Sequence, residues 1–142
     1  MNFLPEPEQL AAIFSQALAP AFLLGAITIL TGGLSTRLTG VIDRIRSLNE
    51  IADSDSARGK LKADIPVLKL RAVLLQRAAY MTLTAGMSLI LLLVIWVASA
   101  FMGLQHIYGG GLLFGIACVL LGLSFYNFAR EVKISLAEFN SY

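Results

Sequence analysis

Charged side chains are scarce in this chain, and reactive ones are scarcer. Only 14% of the 142 residues are charged, against about 25% in soluble domains, and 57% are hydrophobic. One cysteine, Cys118, and one histidine, His106, are present. They provide no thiol pair for an intramolecular disulfide and no set with the spacing of metal ligands. The composition predicts a single-domain integral membrane protein that holds no metal.

Two long stretches lack charged side chains. Residues 9–36 contain none, and residues 78–129 contain none apart from His106, which we interpret as a tolerated polar residue in a turn. A bilayer core takes about 20 apolar residues per helical span. The first stretch therefore fits one span, and the second fits two. Because charged residues inside spans mark proton and ion relays, a carboxylate-driven transporter is not expected.

Patterns of catalysis and nucleotide binding are also missing. The chain has no Ser–His–Asp set with a plausible shared site, no phosphate loop and no dinucleotide fingerprint. Its net charge of +2 is too small to predict a nucleic-acid partner. We expect neither an enzyme nor a bound cofactor. Met1–Glu8 lacks the basic start of a signal peptide, so the first span is expected to be retained.

The basic residues predict an orientation. Every lysine and arginine lies between Arg37 and Arg77 or in the tail from Arg130 onward. Cytoplasmic segments carry such an excess of basic residues. The segment 37–77 and the tail are therefore predicted to face the cytoplasm, and the N-terminus to face out.

These features divide the chain into seven predicted segments. Pro20 is expected to bend or restart the first helix, because proline removes a helical hydrogen bond. The segments are an interfacial helix at 8–18, a first span at 19–35, a cytoplasmic helical hairpin at 36–78, a second span at 79–102, an outer turn at 103–110, a third span at 111–128 and a cytoplasmic tail at 129–142.

The cytoplasmic segment has the spacing of a coiled coil. Two apolar series recur at alternating intervals of four and three residues, namely Leu34, Leu38, Val41, Ile45, Leu48, Ala52 and Leu61, Ile65, Leu68, Ala72, Leu75, Ala79. A polar turn at 53–59 separates them, which predicts an antiparallel helical hairpin. Pro66 either kinks the second arm or marks a helix start near Asp64. Because both arms continue into spans, the hairpin should form a stalk on the order of 20 Å long.

A polar cluster follows the first span. The candidate contacts with lipid or a partner are Arg37, Asp43, Arg44, Arg46 and Arg77. One interpretation is recognition of phospholipid headgroups, since the arginine fork matches phosphate. The other is anchoring at the interface, with Arg37 and Arg77 extending toward water and helix pairs such as Asp43–Arg46.

The stretch STRLTGVIDRIR at residues 35–46 resembles the signature of a bacterial family of small membrane proteins of unknown function. That signature has an arginine at the end of the first helix and Asp-Arg-x-Arg one to two turns later. A long amphipathic loop and two closely spaced spans follow. The resemblance covers about residues 15–130 and implies three spans in a bacterial inner membrane, but no activity.

Small and polar residues form stripes on two spans. The first span carries Gly25, Thr28, Thr31, Gly32 and Ser35, and the third carries Gly111, Gly115 and Gly122. Such stripes let helices approach closely. They predict packing within one subunit or an interface between subunits. For the first span, a pore lining is a further interpretation.

The sequence thus favours a non-enzymatic, homo-oligomeric inner-membrane scaffold or interaction protein. It would contact membrane lipids and present its stalk to a cytoplasmic protein partner. The alternative is a homo-oligomeric ion channel lined by the first helix.

Overall fold

A computed structural model describes residues 7–52, 56–102 and 107–139, nearly all of which are helical. The elements are α1 at Pro7–Asn49, α2 at Ser56–Gly59, a 3-10 helix at Lys60–Asp64, α3 at Ile65–Met102 and α4 at Ile107–Phe139. Within these ranges there is no strand. The predicted all-helical class is confirmed.

Within the described ranges, three helical segments are long and apolar enough to cross a membrane. They cover Leu10–Asn49, Lys60–Ser99 and Gly110–Glu138. Each exceeds the roughly 20 residues that a bilayer core requires. This confirms the prediction of three helices that are long and apolar enough to span a membrane.

The helix boundaries differ from the prediction in three places. α1 continues through Pro20, so the predicted interfacial helix and first span form one helix. Prolines are tolerated in spanning helices when neighbouring groups compensate for the lost hydrogen bond, and Pro20 is buried. α4 starts at Ile107, which places Gly110 in the helix and not in the outer turn. Leu61 lies in the 3-10 helix.

Other boundaries agree with the sequence. α1 ends at Asn49 and α3 starts at Ile65, so Pro66 lies in the first turn of α3, where its missing N–H has no helical partner. The predicted polar turn is only partly covered, since 53–55 lie outside the described residues. His106 also lies outside them.

Buried residues recur every seventh position in each long helix, which is the repeat of a helix that buries one face. In α1 the row is Pro20, Ile27, Leu34, Val41 and Leu48; in α4 it is Gly110, Ala117, Ser124 and Glu131. α3 buries two rows, one through Leu68, Leu75, Thr82 and Leu89 and one through Ala78, Ala85 and Leu92. A helix with two buried rows packs against two neighbours.

The chain divides into two compact units. The first, Met1–Leu30 with Met81–Gly122, has an apolar core of Ile27, Ala85, Leu89, Leu92 and Ala117, with Trp96 packed against it. A Cβ added at Gly86 would contact Ile27 at 3.4 Å, and one added at Gly110 would lie 2.5 Å from Trp96 Nε1. Both α1 and α4 therefore pack on α3 here.

The second unit comprises Thr31–Tyr80 and Leu123–Tyr142. It buries Leu34, Val41, Leu48, Leu68 and Leu75, all of which belong to the predicted seams. A projecting hairpin stalk stays a prediction. The same unit also buries Ser124 and Glu131, and this polar interior contains the candidate site.

Candidate functional site

A fully buried carboxylate lies at the centre of the second unit. Glu131, on α4, has 0% exposure, because it occupies the buried heptad row of that helix. Its Oε2 lies 3.0 Å from Nη2 of Arg37 on α1, and its Oε1 lies 3.0 Å from Nη2 of Arg71 on α3. One carboxylate therefore connects three helices by charge.

Arg71 uses its whole guanidinium fork within the protein. Its Nε donates a hydrogen bond to Glu131 Oε1 at 3.1 Å, and its Nη1 donates one to Glu138 Oε2 at 2.9 Å. The side chain is only 15% exposed. Charge-assisted bonds from a planar fork fix geometry as well as energy. Arg71 therefore holds α3 and α4 in one register.

Arg37 is held less completely. Its guanidinium lies 5.3 Å from the centroid of the Phe128 ring, which is within the range of a cation–π contact. Its Nη2 donates a long hydrogen bond of 3.4 Å to Glu131 Oε1, while Glu131 Oε2 has the charge contact but no hydrogen-bond partner. The side chain is 39% exposed. Arg37 therefore has fewer contacts within the protein than Arg71.

An open cavity of about 330 Å³ lies beside this side chain and is lined by Arg37, Gly40, Val41, Arg44, Leu68 and Arg71. No ion pair joins Arg44 to another residue in the part of the chain that the structure describes. Three arginines and two glutamates, Glu131 and Glu138, give this cluster a formal charge of +1. The cavity can attract an anion, and it offers the donors of Arg37 and Arg44.

The other predicted contact residues lie outside this cavity. Asp43 and Arg46 form an exposed i,i+3 pair at 3.9 Å, which confirms the predicted helix pair. Arg77 is exposed on α3 and does not line the cavity. The structure therefore brings Arg37 and Arg44 together at one site and separates both from Arg46 and Arg77.

Among the described residues, the glycines of the small-residue stripes do not pack against another helix. A Cβ added at any of their glycines meets no atom within 4 Å: Gly25, Gly32, Gly111, Gly115 and Gly122. Thr28 and Ser35 are exposed too. Thr31 is partly buried, and its hydroxyl has no hydrogen-bond partner. Packing against another helix of the same subunit, one of the predicted roles, is not what the described residues show.

Sequence reasoning missed Arg71, Glu131 and Glu138. The residues from 129 onward were predicted only as a tail, whereas α4 extends through them to Phe139. The available signal was the seven-residue interval from Glu131 to Glu138, which continues the heptad row of α4. Among the described residues, no group of three His, Cys, Asp or Glu side chains is placed to hold a metal ion.

The chain belongs to the DUF2721 family of proteins of unknown function, whose model matches residues 17–141. This confirms the resemblance to a family of unknown function. Neither the curated proteins nor the solved structures include a match to this chain.

Proposed function

We propose that this protein is a non-enzymatic scaffold or interaction protein of the bacterial inner membrane, and that it acts as a homo-oligomer. The observation that carries the proposal is the exposure of small-residue stripes on two apolar helices, α1 and α4. A cytoplasmic or membrane partner would bind the end of the molecule that contains the basic residues.

Close approach of a second helix is what these stripes favour. Lipid chains are as apolar as leucine, so association in a bilayer depends on packing between small residues and on interhelical hydrogen bonds. Gly25 and Gly32 have no neighbour within 4 Å of an added Cβ. The large side chains of Phe22 and Ile29 on the same helix are 82% and 80% exposed. Large side chains beside open glycines form ridges and a groove that a second copy can fill.

The mass of the purified complex in mild detergent tests this proposal. Gly32→Leu should reduce the oligomer to smaller species, because the added side chain blocks close approach. Gly33→Leu is the matched control. Gly33 is also open, but it lies about 100° around the helix from Gly32. A monomeric wild-type protein in both detergent and lipid would refute the proposal, as would equal tolerance of the two variants.

The proposed orientation places the N-terminus outside and the C-terminus in the cytoplasm. It is supported by the basic residues, which occur only at 37–77 and after residue 129. In a Cys118→Ser background, Glu6→Cys should react with an impermeant thiol reagent on intact cells, and Ser56→Cys should not. Labelling at 56 and not at 6 would invert the orientation.

A channel lined by α1 is the alternative proposal. Thr28 donates its hydroxyl to Leu24 O at 3.0 Å and keeps its acceptor lone pairs, so this bond fits both proposals. Thr31 is less exposed than Thr28 and Ser35, which favours the scaffold. Ion flux in liposomes distinguishes the two, because Thr28→Val should reduce conductance only if the residue lines a wet path. Such a reduction in an intact oligomer would replace the scaffold by the channel.

A further inference from the structure

We infer that the cavity lined by α1 and α3 binds an anionic phosphate group, one whose charge is not balanced by a cation in the same molecule, through Arg37 and Arg44. The chemistry is that of a phospholipid headgroup or of a free phosphate. The lipid source rests on the proposed membrane placement, whereas the site itself rests on the cavity and its side chains.

The three arginines that line the cavity have different roles. Arg71 is occupied, since Nε, Nη1 and Nη2 all contact Glu131 or Glu138. Its charge contributes to the potential, but its fork is not available. Only Nη2 of Arg37 contacts Glu131, and no described residue forms an ion pair with Arg44. An arginine has five N–H donors in a planar fork, so Arg37 and Arg44 retain enough donors to surround a phosphate.

Spacing along α1 brings these two side chains to one place. Arg37 and Arg44 are seven residues apart and therefore lie on the same face of the helix, about 10 Å apart along its axis. Gly40 lies between them on that face, and a Cβ added there meets nothing within 4 Å. The gap that glycine leaves is open to a ligand. Long arginine side chains can converge over it from both sides.

The formal charge of the arginine and glutamate cluster favours a singly charged anion. The cluster of Arg37, Arg44, Arg71, Glu131 and Glu138 carries a formal charge of +1. A phosphodiester has one negative charge and would neutralise it, whereas a phosphate monoester near neutral pH carries more. The cluster also lies beside the uncharged stretches that end at residue 36 and start at residue 78. Basic pockets at that depth of a membrane protein suit lipid headgroups.

The test titrates the full-length protein in an uncharged detergent with short-chain phosphatidylglycerol, and native mass spectrometry measures the bound fraction. Short-chain phosphatidylcholine, which has a phosphodiester but no net charge, is the comparison lipid. Phosphatidylglycerol should bind about tenfold more tightly or better, since charge-assisted contacts to arginine are stronger than neutral ones. Equal binding of the two lipids would overturn the inference.

Two variants locate the site, and each has a matched control. Arg44→Gln removes a charge from the cavity, and Arg46→Gln removes one from the same helix outside it. Gly40→Leu fills the cavity without changing charge, and Gly33→Leu adds the same side chain one heptad earlier. The cavity variants should weaken phosphatidylglycerol binding by about tenfold, and the controls should not. Equal losses for Arg44→Gln and Arg46→Gln would show diffuse surface attraction and refute the site.

Competition with inorganic phosphate identifies the source of the ligand. Phosphate that displaces phosphatidylglycerol from the wild type, but does not bind Arg44→Gln, would indicate a free-phosphate site. Failure to displace would indicate that the lipid is the ligand. The mass of the protein oligomer is recorded in the same spectra. Loss of selective binding in an intact oligomer therefore refutes this inference alone, whereas a monomer with selective binding refutes only the proposed function.

Discussion

The two units bury the same heptad row of α4 with opposite chemistry. In the first unit the row holds Gly110 and Ala117, and in the second it holds Ser124 and Glu131. The first interior is apolar and depends on close approach, as at Gly110 against Trp96. The second contains a carboxylate shared by two arginines. The same helix geometry therefore supports two different means of specifying contact.

The difference separates stability from specificity. Apolar burial stabilises a protein in proportion to the apolar area that is removed from water. Close packing of the buried side chains adds to this stabilisation. Buried ion pairs often stabilise no more than apolar residues of similar volume would, but breaking one is costly. Our hypothesis is that the Glu131 cluster specifies the register of α1, α3 and α4 in the second unit. Substitutions in the two units should therefore lower the stability of the protein for different physical reasons.

The largest effect is expected at the buried carboxylate. Glu131→Leu leaves Arg71 with only Glu138 and leaves Arg37 without a carboxylate. It should cost about 3 kcal/mol, the low end for a broken buried pair, because Arg37 is partly exposed and water compensates for part of the loss. Reversible unfolding in mixed micelles measures this. Glu138→Leu should cost less, since Glu138 is not fully buried. Equal costs would show that burial of Glu131 is unimportant.

Smaller effects on stability are expected at two adjacent glycines. The effects at Gly110 and Gly111 should have opposite signs. Gly110→Ala places a Cβ 2.5 Å from the indole nitrogen of Trp96, and overpacking of this kind costs about 1–3 kcal/mol. Gly111→Ala meets nothing within 4 Å and should stabilise the helix by about 0.5–1 kcal/mol. Thermal unfolding of the two variants gives the comparison. Matching shifts in the melting temperature would rule out close packing of α4 on α3.

The smallest effect is expected at Ser124. Its hydroxyl donates a hydrogen bond from α4 to Ala78 O on α3 at 2.8 Å. Such interhelical bonds contribute about 0.6 kcal/mol in membrane proteins. Ser124→Ala should lower stability by that amount. Ser88→Ala is the control, because Ser88 bonds to Thr84 O within its own helix. Unfolding midpoints that fall equally for both would remove any role for the interhelical bond.

Apolar periodicity predicted the helices and much of the second unit's interior. The series at four and three residues identified Leu34, Val41, Leu48, Leu68 and Leu75, all of which are buried. These positions follow from local spacing, because an a/d series faces one side of a helix whatever the partner is. The series did not mark the start of α3, since it began at Leu61 in the 3-10 helix. Pro66 did, because it predicted a helix start near Asp64 and α3 starts at Ile65.

Periodicity did not predict the charged site. A search for apolar stripes passes over a row that contains Glu131, and the residues that make the row favourable are 60 and 94 positions away, at Arg71 and Arg37. Pairing across that distance depends on how three helices align, which no local pattern contains. Pro20 shows the same limit, since its effect on α1 depends on neighbouring helices.

The close approach of Trp96 to Gly110 also provides a fluorescence probe of helix packing. Trp96 is the only tryptophan in the chain, so intrinsic indole fluorescence comes from one position beside the core of the first unit. Its emission reports whether α4 is seated on α3, without any attached label. A shift in that emission at a lower denaturant concentration than the loss of helical signal would show that the helices separate before they unwind.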